Sequence, residues 1–92
     1  MATITVRLYG AYSEMAGARR LTVEGATVGE ILDGLPAHLP GLRERIRDEQ
    51  GRLRDHLNVF RNEDEIRRLE GDRTTLRDGD IVHLIPAMSG GL

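Results

Sequence analysis

The sequence predicts an α+β domain in which one main helix packs on one face of a mixed sheet of about five strands. The chain has the length of a single domain, and its 39% apolar and 30% charged residues are typical of a globular protein. Several short segments alternate between apolar and polar residues, which is the pattern of half-buried strands. One segment after the second of these strands has its apolar residues at helical spacing instead.

The first two alternating segments predict a hairpin. From Thr3 to Tyr9 every second residue is apolar, so one face of this strand is expected to be buried. A second short strand is expected from Arg20 to Glu24, with Leu21 and Val23 facing inward. The connector between them, Gly10 to Gly17, can turn the chain and is long enough to hold a helical turn.

The main helix is expected to begin after Thr27. Thr27 and Glu30 have the spacing of a capping box, in which each side chain binds a backbone N–H at the start of the helix. The apolar residues that follow at helical spacing are Val28, Ile31, Leu32 and Leu35. Gly34 and Pro36 are expected to end or kink the helix. A further helical turn or two, with Leu42 and Ile46 inward, is expected between Leu39 and Asp48.

Two more strands are expected in the middle of the chain. His56 to Arg61 predicts a third strand in which Leu57 and Val59 face inward. Asn62 to Glu65 has the composition of a turn. Ile66 to Leu69 is then predicted to be a short fourth strand or extended segment.

The last strand leads into the C-terminal tail. Arg77-Asp78-Gly79-Asp80 is a tight-turn sequence, and Ile81 to Ile85 has the β-branched content of a strand. Pro86 cannot donate a ladder hydrogen bond and is expected to end this strand. The predicted order is β-β-α-β-β-β, with a domain over residues 1–86 and a flexible tail over residues 87–92.

The composition excludes several classes of function. A net charge of −2 gives no basic field, so neither nucleic acid nor a membrane is expected as a partner. No membrane span or signal peptide is found, which makes the cytoplasm the expected compartment. The chain has no Cys and no Lys, which excludes a thiolate nucleophile, a Schiff base and a P-loop lysine. Its three His residues are too far apart for a metal motif, so no metal site is expected.

The end of the chain is its most informative segment. Gly90 and Gly91 close no turn and cap no helix, because only one residue follows them. Without Cβ atoms they form a slim segment that could thread a narrow channel in another protein and deliver a carboxylate there. Ser89 has no nucleophile-elbow context and no nearby His, so it is interpreted as a spacer.

Four segments of the chain together resemble a known family. They are Leu57 to Arg67, Leu76 to Val82, Ile85 to Ala87 and Ser89 to Gly91. These segments are similar to motifs of the ubiquitin-like sulfur carriers, the MoaD, ThiS and CysO group. In length and in residues 57–67 the chain resembles the CysO-like and longer MoaD-like proteins in particular. The resemblance implies a ubiquitin-like β-grasp fold.

The resemblance also implies a function for Gly91. An E1-like adenylyltransferase would activate its carboxylate with ATP, and a sulfur donor would convert the adenylate into a thiocarboxylate. A sulfur-accepting synthase would then take the sulfide for molybdopterin, cysteine or a specialised metabolite. The chain would act as a protein co-substrate and not as an enzyme. It would bind no cofactor of its own, since the partner holds the ATP.

Leu92 departs from the pattern of the family, because it locks the Gly91 carboxyl in a peptide bond. Three interpretations are open. A zinc-dependent metalloprotease removes Leu92, which we favour; Leu92 is a cloning remnant; or the tail is never activated. Two other functions are also open: a ubiquitin-like modifier conjugated to target lysines, and a β-grasp interaction module with an inert tail.

A partner-binding surface is expected on the outer face of the sheet. Phe60 is apolar at an outward-facing position, and His83 and Ile85 point the same way if the last strand lies alongside. Pro86 and Met88 extend this candidate surface toward the tail. The alternative is that these side chains cover a loop or a neighbouring molecule, because the facing of a strand depends on register.

Overall fold

The computed structural model describes residues 1–87, and the predicted α+β architecture is confirmed. The strands are β1 (Ala2–Leu8), β2 (Arg20–Gly25), β3 (Leu57–Arg61), β4 (Asp64–Glu65) and β5 (Ile81–Pro86). The α-helices are α1 (Ala11–Ala16), α2 (Val28–Gly34) and α3 (Arg43–Ile46). Short 3₁₀ helices cover Leu35–Ala37, Ile66–Arg68 and Gly71–Arg73.

The strands form one mixed sheet in the order β2-β1-β5-β3-β4. β1 pairs antiparallel with β2 and parallel with β5, while β3 pairs antiparallel with both β5 and β4. The last strand therefore lies at the centre of the sheet beside the first. Because β1 and β5 run in the same direction, the C-terminal end of β5 lies at the same sheet end as Leu8, opposite the end where β1 begins.

The predicted capping box starts the main helix. The Glu30 N–H donates to Thr27 Oγ1 (3.2 Å), and the Ala26 N–H donates to Glu30 Oε1 (2.9 Å). The helix ends at Gly34, as predicted, and Pro36 lies in the 3₁₀ helix that follows. Val28, Ile31, Leu32 and Leu35 are all buried, so α2 and the residue after it cover one face of the sheet.

One hydrophobic core lies between the sheet and the helices. The inward positions predicted for the strands and for the second helical segment are buried: Ile4, Val6, Leu8, Leu42, Ile46, Leu57 and Val59. Leu21 and Val23, on the edge strand β2, are partly buried and pack against this cluster. Val82 and Leu84 of the central strand are fully buried, as expected for a strand with neighbours on both sides.

The predicted fourth strand, Ile66 to Leu69, is wrong. β4 is the two-residue strand Asp64–Glu65, and Ile66–Arg68 is a 3₁₀ helix. Asn62 adopts a left-handed conformation (φ +56°), which turns the chain so tightly that pairing with β3 resumes within two residues. Ile66 then points into the core and Leu69 is partly buried, and their separation of three residues is a helical spacing.

The helical content is larger than predicted. The connector after β1 forms the six-residue helix α1, whose Tyr12 side chain is buried, and α3 occupies part of the segment where a turn or two was expected. Each is too short to be recognised from periodicity alone. Within residues 1–87 no helix is long and apolar enough to cross a membrane.

Candidate functional site

The C-terminal end of β5, which we call the tail base, comprises Pro86, Ala87 and their neighbours Gly10 and His56. Pro86 lies opposite Leu57 in the antiparallel pair of β5 with β3, and the Ala87 N–H donates to the His56 carbonyl (2.6 Å). The strand thus includes Pro86 instead of ending before it. Hydrogen-bonded and non-hydrogen-bonded pairs alternate, so Pro86 occupies a non-bonded position where its missing N–H removes no bond to β3.

The other side of the tail base is formed by Gly10, which lies in the short connector between β1 and α1. Gly10 has φ +56°, and a Cβ atom at this position would lie 3.1 Å from Cγ of Pro86. The Tyr9 N–H donates to the Leu84 carbonyl (3.3 Å), which extends the β1–β5 pairing to the edge of this connector. Gly10 is therefore required both for its backbone conformation and for the close approach of Pro86.

The tail residues predicted to carry the chemistry are Met88, Ser89, Gly90, Gly91 and Leu92, and all of them lie outside the described residues. Ala87, the first residue of the predicted tail, is hydrogen-bonded to the domain. The boundary between residues 86 and 87 stays a prediction. Gly91 is four residues beyond Ala87 and can reach at most about 13–14 Å from it.

The structure brings three of the predicted partner-binding residues together on the outer sheet face. Phe60 lies directly opposite His83 in the ladder, and Ile85 follows two residues further along β5. All three side chains are partly buried. Pro86 is separated from this set, because side chains alternate along a strand and Pro86 faces the other way.

His83 belongs to a polar cluster that the sequence analysis missed. Its Nδ1 is hydrogen-bonded to the hydroxyl of Tyr9 (2.8 Å), and the guanidinium carbon of Arg7 lies 5.8 Å from the centre of the Tyr9 ring. Burial, together with the positive charge of Arg7, lowers the pKa of His83 below its ordinary value. Only the alternation of β1, which puts Arg7 and Tyr9 on its outer face, could have indicated this cluster.

We expect the lowered pKa of His83 to make stability depend on pH. The unfolded chain binds a proton near the ordinary pKa of about 6.5, whereas the folded chain binds it only at lower pH. The free energy of unfolding should therefore fall as pH decreases below about 6.5. His83→Gln should flatten this slope in urea denaturation between about pH 5 and 7.5.

Thr22→Ala is the matched control, because Thr22 carries no ionisable group and lies in β2, where it pairs with Thr5. It should leave the slope unchanged. Because the His83 side chain is partly exposed, solvent screening keeps this effect on the free energy of unfolding small. A slope that is as steep in His83→Gln as in the wild type would contradict the assignment.

The Asp-Gly-Asp motif lies at the opposite end of β5 from the tail. Asp78 Oδ1 accepts a hydrogen bond from the Thr3 N–H (2.8 Å), and the Gly79 N–H donates to the Thr3 carbonyl (3.1 Å). Gly79 has φ +90°, a conformation that favours glycine. These bonds join the turn before β5 to the beginning of β1, which is a structural role.

We call the hydrogen bonds that Asn62, Asp78, Gly79 and Asp80 make around this turn the turn lock. Asn62 belongs to one of the four motif segments and completes the turn lock. Its Oδ1 accepts from the Ile81 N–H (2.9 Å), and its Nδ2 donates to Asp80 Oδ1 (3.1 Å), while Asp80 Oδ2 accepts from the Arg77 N–H (2.8 Å). Burial opposes ionisation of Asp80, but the hydrogen bonds from Arg77 and Asn62, together with nearby arginine charges, outweigh it and lower its pKa. Two of the four motif segments therefore contain residues that hold the sheet together.

Acidic residues surround the outer side of Phe60. A shallow cavity of about 410 Å³ is lined by Phe60, Glu63, Asp64, Glu65 and Arg68. Within residues 1–87 no group of three or more His, Asp or Glu side chains is arranged to hold a metal ion. This part of the molecule offers a mixed apolar and acidic surface to a binding partner.

Comparison with known proteins assigns the chain to a family. The model of the ThiS family matches residues 6–91. The chain belongs to the ThiS family. It is 34% identical over 91 residues to small archaeal modifier protein 3 of Haloferax volcanii, covering 96% of this chain and 98% of that protein. It is 32% identical over 77 residues to the sulfur carrier protein CysO of Mycobacterium tuberculosis, covering 82% and 83%.

The fold of this ThiS family member matches solved structures over nearly its whole length. A chain of the Amycolatopsis orientalis BexX/CysO complex superimposes with a TM-score of 0.85 at 29% identity, covering 96% of this chain and 99% of that one. The predicted ubiquitin-like β-grasp fold is thereby confirmed. The relatives are small sulfur carriers and protein modifiers, so the ThiS family member described here belongs to a carrier and modifier family.

Proposed function

We propose that this protein is a sulfur carrier whose Gly91 carboxylate is adenylated by an E1-like enzyme and converted to a thiocarboxylate. The observation that supports this most directly is the family match, which extends through Gly91 and ends one residue before the end of the sequence. The tail base supports it as well. The Ala87 N–H is bonded to the His56 carbonyl, so the chain leading to Gly91 leaves the domain from a held position.

The chemistry requires a partner that binds ATP. A carboxylate is a poor electrophile until its oxygen becomes part of a good leaving group. Its oxygen attacks the α-phosphorus of ATP, pyrophosphate leaves, and an acyl adenylate forms. Hydrosulfide then adds to the acyl carbon, and AMP leaves with the electron pair of the broken C–O bond. The chain has no P-loop lysine and no thiol, so the ATP site and the sulfur donor belong to other proteins.

The proposed function also includes the removal of Leu92. Only a free carboxylate at Gly91 can attack ATP, and in the full sequence this group is part of an amide. We assign the cleavage to a metalloprotease. The acceptor of the sulfur is a biosynthetic synthase, with molybdopterin, cysteine and specialised metabolites as the candidate products. We place these steps in the cytoplasm.

Intact mass measurement tests the proposal. The chain ending at Gly91 is incubated with the E1-like enzyme of the same organism, ATP and a sulfide donor. A carrier gains the mass difference between sulfur and oxygen. If the mass stays unchanged although the enzyme adenylates another carrier in the same mixture, the proposal is wrong.

A protein modifier is the second candidate, because small archaeal modifier proteins are among the relatives. In that case the adenylated Gly91 would acylate lysines of other proteins, and the same experiment in cell extract would yield higher-mass adducts. All thirteen cationic side chains of this protein are Arg. The protein therefore offers no lysine as an acceptor, so chains linked through side-chain amines of its own copies are not expected.

We assign the outer sheet face around Phe60, His83 and Ile85 to docking of the E1-like partner. Replacing the aromatic ring by Phe60→Ala should weaken binding by about tenfold, since buried aromatic anchors dominate such interfaces. The melting temperature should change little, because Phe60 is only partly buried and lies outside the core. Titration calorimetry with the E1-like enzyme and thermal melting measure the two effects.

Thr22→Ala is the matched control for Phe60→Ala. Thr22 lies on the outer face at the opposite edge of the sheet, in β2, where it pairs with Thr5. It should leave affinity unchanged. A large loss of stability in Phe60→Ala, with unchanged affinity of the folded fraction, would show that the ring supports the fold instead of the docking.

A further inference from the structure

Arg67 is a motif residue without a role in the docking surface or in the chemistry of the tail. It lies in the 3₁₀ helix Ile66–Arg68, next to Ile66, which is fully buried. Its Nη2 donates to the carbonyls of Arg54 (2.9 Å) and Leu57 (3.2 Å). The other nitrogen, Nη1, donates to Glu65 Oε2 (3.2 Å). Both terminal nitrogens of the planar guanidinium are thus hydrogen-bonded.

The two carbonyls that Arg67 binds are the ends of one turn. The Leu57 N–H donates to the Arg54 carbonyl (3.2 Å), which closes a four-residue turn that leads into β3. His56 lies inside this turn, and its carbonyl accepts the hydrogen bond from the Ala87 N–H. Arg67 therefore holds, at both ends, the turn that supplies the last described bond between the domain and the C-terminal segment.

We propose that Arg67 is a positioning residue for the C-terminal tail. It orients the 54–57 turn, the His56 carbonyl of that turn anchors Ala87, and this anchor sets where the chain leaves the sheet on its way to Gly91. The consequence for adenylation rests on the proposed function of Gly91. The hydrogen bond between Ala87 and His56 lies within this chain, so it can be tested without any partner.

The number of residues beyond the anchor gives the expected size of the effect. With Ala87 bound to His56, four residues separate the anchor from Gly91. Losing the anchor increases the number of residues between Gly91 and the last bond to the domain, and for a flexible linker the effective concentration of its end falls with about the −3/2 power of its length. Misalignment at the reacting carboxylate adds to this loss. We expect a roughly two- to tenfold lower adenylation rate constant.

The first test uses the full-length protein without any partner. Amide hydrogen exchange at Ala87 is measured by NMR in the wild type, in Arg67→Ala and in Arg67→Lys. Exchange at Ala87 should accelerate in Arg67→Ala. Lysine should restore protection only in part, because its ammonium group cannot reproduce the planar fork. Arg73→Ala is the matched control, an exposed arginine in the next 3₁₀ helix.

The second test measures single-turnover adenylation of the chain ending at Gly91 across a range of E1-like enzyme concentrations. Arg67→Ala should lower the rate constant at saturation while the half-saturating concentration stays within about twofold. Ala87→Pro removes the N–H that binds His56 and leaves Arg67 in place. If both variants act through the same anchor, the double variant should be no slower than the slower single variant.

Ala87→Ser keeps the N–H and is the control for the proline variant. The proposal is overturned if Ala87 exchange is unchanged in Arg67→Ala, or if the effects of Arg67→Ala and Ala87→Pro on the rate constant multiply. If the wild-type chain ending at Gly91 forms no adenylate at all, the proposed function fails, and the exchange experiment still decides whether Arg67 holds the anchor. Should Arg67→Ala fail to fold, Arg67→Lys and Ala87→Pro provide the same comparison.

Discussion

The chain ending at Gly91 is expected to form an acyl adenylate with its E1-like partner and ATP, whereas the chain ending at Leu92 is expected to form none. The physical reason is that, in the proposed function, the nucleophile toward the α-phosphorus is a free carboxylate oxygen at Gly91. In the longer chain this carbonyl belongs to an amide, and the only C-terminal carboxylate is carried by Leu92. In the proposed function that carboxylate lies one residue too far along the chain, and the isobutyl side chain of Leu92 stands beside it where the proposed site would receive glycine.

ATP–pyrophosphate exchange measures this difference directly, because only reversible adenylate formation returns labelled pyrophosphate to ATP. We expect pyrophosphate exchange with the chain ending at Gly91 and only background exchange with the chain ending at Leu92. A chain ending at Gly90 is the matched control, because it also has a free carboxylate but is shorter by about 3.3–3.6 Å of extended backbone. It should react more slowly than the chain ending at Gly91. Equal exchange by the chains ending at Gly91 and Leu92 would rule out a need for cleavage.

Asp80→Ala is expected to give the largest loss of stability among the motif residues outside the core. It removes the acceptors for the Arg77 N–H and for the Asn62 side chain. Asn62 would then keep its bond to the Ile81 N–H but lose the partner that orients its amide. Two hydrogen bonds to an ionised, partly exposed group contribute about 2 kcal/mol. The melting temperature should therefore fall by roughly 8–16 °C.

Calorimetry or denaturant unfolding measures this loss, and two variants control it. Asp64→Ala removes an exposed carboxylate of β4 for which the structure describes no side-chain hydrogen bond within residues 1–87, so little change is expected. Asp80→Asn keeps an acceptor oxygen and should lose about half as much. If Asp80→Ala is as stable as Asp64→Ala, the turn lock contributes nothing measurable.

The contribution of Asp80 should also depend on pH. The folded pKa of Asp80 lies below the ordinary value, so the stabilisation is fully present above the unfolded pKa of about 3.8 and is lost as pH falls through the folded value. The difference in the free energy of unfolding between the wild type and Asp80→Ala should accordingly become smaller below about pH 4. Folded Asp80→Ala protein should still be adenylated at the wild-type rate, because the turn lock and the tail base lie at opposite ends of β5.

Local interactions made much of the fold predictable. The alternation from Thr3 to Tyr9 reflects a strand with one buried face, and the Thr27 and Glu30 capping box is a contact between residues three apart. The helix stop at Gly34 and the turn at Gly79 follow from backbone preferences of single residues. Each of these features depends on a few consecutive residues, so the amino-acid sequence is enough to specify it.

Partners distant in sequence decided the rest. The parallel pairing of β1 with β5, the opposition of Phe60 and His83, and the Tyr9–His83 hydrogen bond join residues more than twenty positions apart. The spacing of the motif residues likewise did not indicate which of them join the turn before β5 to the sheet and which bind the 54–57 turn. Asn62 and Asp80 lock one end of the sheet, while Arg67 holds a turn at the other, because chain topology places β5 between them.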